Sequence, residues 1–199
     1  NVFSTGLEKQ TVLAFAIDPA TPTTVYAATL GGRGVYKSMN AGATWVGANS
    51  GLTSTHVFAL VIDPQTPATL YAATFGGGVA RSTDGAAQWS AFSTGIIGTN
   101  VGALAIDPMA PATLWAGTAG AGVFRTAGAT WAAATSGLEA TRIAALVAMP
   151  ETPTPLVAAS EGGGVLVSPD AGGSWATANV GLPTTRISAL ARDPSTAGR

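Results

Sequence analysis

Cysteine is absent from the 199 residues, which excludes disulfides, zinc–thiolate sites and thiol nucleophiles while leaving the compartment open. Charge is scarce as well: Asp, Glu, Lys and Arg make up 10% of the chain, against roughly 25% in ordinary soluble domains. Nine basic and ten acidic side chains nearly cancel, and Lys and Arg form no cluster, so nucleic acid is not an expected partner. Long apolar runs are missing too. Mean hydropathy is positive at +0.35, yet apolar stretches reach only about six residues before Gly, Pro or Asp interrupts them, far short of the roughly 20 of a membrane-spanning helix. The single histidine, His56, has no carboxylate cluster around it in the sequence, so neither a metal nor another cofactor is expected. No segment shows apolar residues at helical spacing, which predicts an all-β chain. Asn1 is followed by no charged-then-apolar leader; either a signal peptide has been removed or the chain is an excerpt.

Repetition is what the sequence has instead. Ser168-Pro169-Asp170-Ala171-Gly172-Gly173-Ser174-Trp175 describes a tight turn between strands, and it recurs with variations. Ser38 to Trp45 substitutes Asn40 for the acid. Ser82 to Trp89 keeps Asp84 and moves the glycine to Gly85, and Thr126 to Trp131 is two residues shorter and has lost the acid. Trp45, Trp89, Trp131 and Trp175 are thus 44, 42 and 44 positions apart. The carboxylate or amide is expected to hold the turn by accepting N–H groups two residues on, with Gly172 and its counterparts at positive φ. The tryptophan is expected to pin the turn to its own blade. A catalytic or metal role for Asp84 or Asp170 would need partners that the turn does not supply.

Between these turns the spacing is regular. From Gly6, Gly51, Gly95, Gly137 and Gly181 to Pro19, Pro64, Pro108, Pro150 and Pro194 the distance is 13 residues each time. Each interval holds an apolar strand (12–17, 57–62, 101–106, 143–148 and 187–192), predicted to be buried on both faces and innermost. A second strand follows at 24–29, 69–74, 113–118 and 155–160. Glycine clusters then lead into a third, at 35–38, 79–82, 123–126 and 165–168. Because a strand and not a helix follows each glycine cluster, these are hairpin turns and not phosphate cradles. A fourth strand carries the tryptophan.

Four short antiparallel strands in a unit of about 44 residues predict a β-propeller. The blades fall at about 12–49, 57–93, 101–135 and 143–179, with partial repeats at 1–7 and 183–199, in a single domain over 1–199 or part of a larger propeller. No Gly-His or Trp-Asp pair occurs. The motif Ser-x-Asp-x-Gly-x-x-Trp, with Tyr-Ala-Ala-Thr and Gly-Gly-Gly-Val before it, resembles the Asp-box (BNR) repeat of sialidase, sortilin and family 74 glycosidase propellers. The structural residues of that resemblance are Ser38, Asn40, Trp45, Ser82, Asp84, Trp89, Trp131, Ser168, Asp170, Gly172 and Trp175.

For function, the family 74 resemblance implies an acid just after the second strand. The matching positions are Leu30, Phe75, Ala119 and Glu161, so Glu161 is the one candidate catalytic acid and no second stands in an equivalent loop. Arg142-Ile143 and Arg186-Ile187 lack the proline that a sialidase segment would show. A surface reading therefore leads. On the face formed by the fourth-to-first and second-to-third strand loops, Arg33, His56, Phe75, Asn100, Arg142, Glu161 and Arg186, with Thr11, Leu30 and Ala119, vary in chemistry from repeat to repeat. The expected partner is a protein or glycan, in a bacterial extracytoplasmic setting, secreted, periplasmic or at the cell surface. The alternatives are a glycoside hydrolase fragment and a structural subunit of an assembly. Asn1 to Ser4 reads as the remnant of a fourth strand and 187–192 as a lone inner strand, so further blades or another chain are expected to complete the fold.

Overall fold

The computed structural model describes residues 5–8, 10–138 and 142–192. They are all-β, with no helix and therefore none long and apolar enough to cross a membrane. The chain forms two compact units, Asn1–Ser93 and Thr94–Arg199, each holding two four-stranded antiparallel sheets, the expected blades.

In the first unit, blade 1 consists of β1 (Val12–Ile17), β2 (Val25–Thr29), β3 (Gly34–Ser38) and β4 (Val46–Gly47), and blade 2 of β5 (Val57–Ile62), β6 (Leu70–Thr74), β7 (Gly78–Ser82) and β8 (Ser90–Ala91). In the second, blade 3 comprises β9 (Val101–Ile106), β10 (Thr113–Thr118), β11 (Val123–Ala127) and β12 (Trp131–Ala133), and blade 4 comprises β13 (Ile143–Ala148), β14 (Leu156–Ser160), β15 (Gly164–Ser168) and β16 (Ala176–Thr177). Every sheet pairs its strands in simple chain order. Register is set by the hairpins, as in Leu70 opposite Ser82 and Thr74 opposite Gly78.

Burial corrects one expectation. The two-sided buried strand is the second of each blade and not the first: every residue of β6 and β10 is buried, whereas β1 exposes Leu13, Phe15 and Ile17. The first strand is a sheet edge with one ladder, while the second has a strand on either side. Its Ala-Ala or Ala-Gly pairs also let a neighbouring sheet approach closely. A Cβ on Gly117 of β10 would collide with Ile143 of blade 4.

Each unit has its own inter-sheet core. Ala16, Tyr26, Ala28 and Val35 of blade 1 pack against Leu60, Leu70, Ala72, Ala80 and Trp89 of blade 2. In the second unit Ala103, Ala105, Trp115 and Val123 of blade 3 meet Leu146, Leu156, Ala158, Leu166 and Trp175 of blade 4. A large buried aliphatic or aromatic side chain contributes about 1.5–3 kcal/mol relative to its exposed state, so these interfaces stabilise each unit more than its turns do. Polar links accompany them. The Tyr26 hydroxyl and the Lys37 ammonium reach Gly85 O, the Trp115 indole N–H donates to Ala171 O, and the Thr154 hydroxyl donates to the buried Asp107 carboxylate. Tyr26 and Trp115 are thus core residues.

The segment 187–192 forms no strand. It joins blade 4 through an Arg186–Glu161 bridge and an Ile187 N–H bond to Ser160 O. The expected strand remnant at Asn1 to Ser4 lies outside the described residues; Thr5 next to it bridges Thr44 in parallel.

Candidate functional site

The Ser-x-Asp turns supply the frame. In blade 4 the Ser168 hydroxyl donates to Asp170 Oδ1 at 2.8 Å and accepts the Gly172 N–H at 2.8 Å. Asp170 Oδ1 also accepts the Ser174 N–H, and its Oδ2 accepts the Ser174 hydroxyl. Blade 2 repeats this through Ser82, Asp84, Ala86 and Gln88, and blade 1 through Ser38, Asn40, Gly42 and Thr44. The carboxylate or amide therefore accepts from the N–H four residues ahead, not the expected two. Reaching two and three ahead belongs to the Asp-Pro turns, where Asp18 accepts from Ala20 and Thr21, and Asp63 from Gln65 and Thr66.

Two consecutive residues after the acid adopt positive φ: Ala41 and Gly42, Gly85 and Ala86, Ala171 and Gly172. This is the hairpin geometry that follows the twist of the flanking strands, and the alanine in each pair sits where an L-residue is strained. The donors lower the Asp170 carboxyl to about 2, chiefly the Ser174 hydroxyl and N–H, then Ser168. The Gln88 N–H and Ser82 hydroxyl likewise lower Asp84. Both acids are held ionised as acceptors, which suits a clasp and not proton transfer near neutrality.

The tryptophans act differently from expectation. The Trp89 indole N–H donates to Ala48 O and that of Trp175 to Ala134 O, each in the preceding blade of its unit. Each pins its turn to its neighbour and not to its own blade. Trp45 instead donates to Gly42 O within its own turn. In blade 3 the shortened turn keeps Trp131 buried at 2% exposure, but the Thr126 hydroxyl, where the other blades have serine, is buried with no hydrogen-bond partner.

The loop residues fall into pairs. Leu30 N–H donates to Thr11 O, Phe75 to His56, Ala119 to Asn100 and Glu161 to Arg142. The same backbone bond thus joins the fourth-to-first loop to the second-to-third loop in every blade, whatever the side chains. In the first unit His56 and Arg33 are exposed, His56 lies against Gly32, and half-exposed Phe75 meets Phe58 edge-on at 6.3 Å. In the second unit Arg142 Nε lies 3.1 Å from Glu161 Oε2, and Glu161 also bridges Arg186 through backbone. Three charged residues therefore gather on blade 4, while Asn100 and Ala119 form the corresponding pair on blade 3. Side-chain exposures of 63% and 33% limit such a pair to about 0–1 kcal/mol of stability. Among the described residues, no three His, Asp or Glu side chains are placed to hold a metal ion.

Sequence reasoning missed the residues that support these loops. Asn49 accepts the Val35 N–H at 2.7 Å and donates to Arg33 O, and Asn179 accepts the Val165 N–H and donates to Gly163 O. Ser93 does similar work against Val79. Gly34 and Gly164 are required there, since a Cβ on either would collide with the asparagine amide and both have positive φ. The signal was in the sequence: Asn49, Ser93 and Asn179 all stand two residues before the repeated glycine.

No known family model matches the chain, and no curated protein matches it. Solved structures do. A GH74 xyloglucanase from Xanthomonas campestris superposes with a TM-score of 0.68 at 24% identity, over 87% of this chain and 31% of that one. The extracellular domain assigned to the hybrid two component system BT3049 of B. thetaiotaomicron gives 0.72 at 16% identity, over 92% and 26%. The RRP9 WD40 repeats give 0.66 at 16% identity, over 85% and 51%. These likenesses establish the β-propeller fold. The chain spans about a third or less of the length of the first two, at 31% and 26%.

Proposed function

We propose that this propeller module, built from Asp-box repeats, is non-catalytic and binds a protein or glycan partner in an extracytoplasmic setting, through the face that carries the fourth-to-first and second-to-third strand loops. The observation that carries this reading is the Arg142–Glu161–Arg186 group on blade 4, where the ion pair spans 3.1 Å, the Glu161 N–H donates to Arg142 O and Glu161 bridges Arg186 in the backbone. An exposed pair adds little stability, and a fixed guanidinium suits bidentate recognition of carboxylates or hydroxyl-rich ligands. Arg33, His56 and Phe75 are the candidates in the corresponding loops of the first unit, and Asn100 is the candidate in those of blade 3. The extracellular domain in B. thetaiotaomicron and the Xanthomonas enzyme make an extracytoplasmic glycan-rich setting the natural one to test.

The test is a glycan array and affinity capture on the whole chain, with Arg186→Ala and Arg142→Ala as comparisons. Loss of one or two charge-assisted hydrogen bonds is expected to weaken binding by about tenfold or more with the melting temperature unchanged. Binding that both variants retain in full would place the interface elsewhere. The likeness to the GH74 enzyme favours a second reading, a glycoside hydrolase fragment with Glu161 as one acid. Such hydrolysis uses two carboxylates roughly 5–9.5 Å apart, and Glu161 is paired with Arg142 and not with an acid. Release of reducing sugar from xyloglucan by the isolated chain, lost in Glu161→Gln, would support this reading over the first.

A further inference from the structure

Two grooves between adjacent blades are built alike, one within each unit. In the first unit the turn of blade 2 at Gly85 to Ala87 lies across the outer part of blade 1 and leaves an open groove of about 520 Å³ against β4. In the second unit the turn of blade 4 at Asp170 to Gly173 does the same over β11 and β12 and leaves one of about 690 Å³. Strand pairing sets the floor. Tyr26, Lys37 and Val46 stand side by side across β2, β3 and β4, and Trp115, Arg125 and Ala132 across β10, β11 and β12, so each row shares one face of its sheet. The next blade's turn covers the inner part of the row, through Gly85 O on Tyr26 and Lys37 and Ala171 O on Trp115. It stops short of Val46, which is 70% exposed.

The edge of β4 adds backbone groups. The Ala48 N–H donates to Val35 O, and bonded and unbonded pairs alternate along an antiparallel ladder. Gly47, opposite Tyr36, therefore turns its N–H and C=O away from β3. The Trp45 N–H, on the same side two residues earlier, is taken by Thr5 O, whereas the outward groups of exposed Gly47 have no partner among the described residues.

Charge separates the two grooves. Lys37 is the one ionisable side chain that lines the first. Its ammonium has three donors, of which Gly85 O takes one, and it makes no ion pair among the described residues. The acids close to this row in sequence or space are turned elsewhere: Asp18 accepts the Ala20 and Thr21 N–H groups, and Asp84 accepts the Ser82 hydroxyl and the Gln88 N–H. The second groove contains Arg125 but also Asp170, and it has Ala127 and Ala132 where the first has Met39 and Val46.

We propose that the groove between blades 1 and 2 docks an extended peptide of a partner protein, which adds a strand along β4 through Gly47, turns a Glu carboxylate toward the Lys37 ammonium and rests apolar flanks on Val46 and Met39. Main-chain bonds to a sheet edge give such a peptide its affinity, and the side chains beside the edge give its specificity. The second groove, with a carboxylate of its own and a shallower apolar wall, does not take this ligand.

The test uses capped pentapeptides Ser-Xaa-Glu-Xaa-Ser, with Xaa running over the apolar residues, and the same set with Gln in place of Glu, each titrated into the isotope-labelled full chain. Members of the Glu set are expected to shift the backbone signals of Lys37 to Ser50 and of Gly85 to Ala87, and to bind about tenfold more tightly than their Gln counterparts. Lys37→Met removes the ammonium, and Gly47→Pro removes the outward N–H at an edge position where proline is tolerated. Each is expected to weaken binding about tenfold, with circular dichroism and a melting curve establishing that it is folded; the two changes act on different groups, so either one suffices should the other fail to fold. Arg125→Gln and Arg142→Ala are expected to leave binding unchanged. Absence of binding by every Glu peptide at about 1 mM, equal binding by the Gln set, or full binding in a folded Lys37 or Gly47 variant would each overturn the proposal. So would loss in Arg125→Gln or Arg142→Ala, which would move the contact to the second groove or to the loops, and equal shifts from N-acetylglutamate amide, which would mark a site for small carboxylates. None of the Lys37 and Gly47 readouts bears on the loop face, whose own test is Arg142 and Arg186.

Discussion

The tryptophan-bearing turns of blades 3 and 4 perform the same task with different equipment. Blade 4 has Ser168, Asp170 and a full set of hydrogen bonds between 2.6 and 2.8 Å. Blade 3 is two residues shorter, has no acid and leaves the Thr126 hydroxyl buried without a partner. Yet the strand after the shorter turn is the longer of the two, Trp131–Ala133 against Ala176–Thr177. Both tryptophans are buried, and both donate a backbone N–H to the preceding loop, Trp131 to Thr94 and Trp175 to Ser136. The acid is therefore dispensable to the blade, and the buried ring with its backbone bond is what the two turns share.

The largest test of that comparison is to remove the shared part. Trp131→Ala and Trp175→Ala are each expected to destabilise by about 3–5 kcal/mol, measured by urea unfolding. A cost at Trp131 far below that at Trp175 would show that blade 3 depends on something else. Next come the hydroxyls. Ser168→Ala strands the buried Gly172 N–H and is expected to cost about 1–3 kcal/mol. Thr126→Val removes a hydroxyl that has no partner and is expected to be neutral or to stabilise by up to about 1 kcal/mol. Equal costs for the two would erase the distinction between the turns.

The smallest effect is electrostatic, because Asp170 is fully exposed. Its folded carboxyl is lowered to about 2, below the roughly 3.9 of an unfolded aspartate. The stabilisation it contributes is therefore complete above about pH 4 and lost as the pH falls towards 2. Asp170→Asn should flatten that part of the pH profile, since Asn40 shows that an amide fits the same turn. Unfolding midpoints followed from pH 5 to pH 2 would test this, and an unchanged slope in the variant would show that other groups carry it.

The positions of the strands were legible because punctuation repeats: the Gly-to-Pro interval and the glycine clusters bracket β1, β5, β9 and β13 at their predicted bounds. Burial was less legible. An apolar run such as Val12–Ile17 reads as buried on both sides, whereas its place at the sheet edge leaves Phe15 and Ile17 open and the small residues of β2 enclosed. Hydropathy records what a residue tolerates, and the number of neighbouring strands decides what it meets. The role of the tryptophans was misread for a related reason. The acceptors of Trp89 and Trp175 lie 41 residues earlier in the chain, a separation that no local motif reveals. The loop pairs were found as variable positions, but the contact between Arg142 and Glu161 required the sheet to bring together residues 19 apart.

The clasp common to all the paired loops is a backbone bond, from Leu30 to Thr11, Phe75 to His56, Ala119 to Asn100 and Glu161 to Arg142. A joint of that kind is blind to side-chain identity, so the loops behave as sockets into which any chemistry can be plugged. The repeats already sample aliphatic, aromatic, small and ionic pairs in one chain. Substitutions at these eight positions can change the chemistry of the loops while the scaffold stays in place, which makes them natural positions for diversification by evolution or by a randomised library.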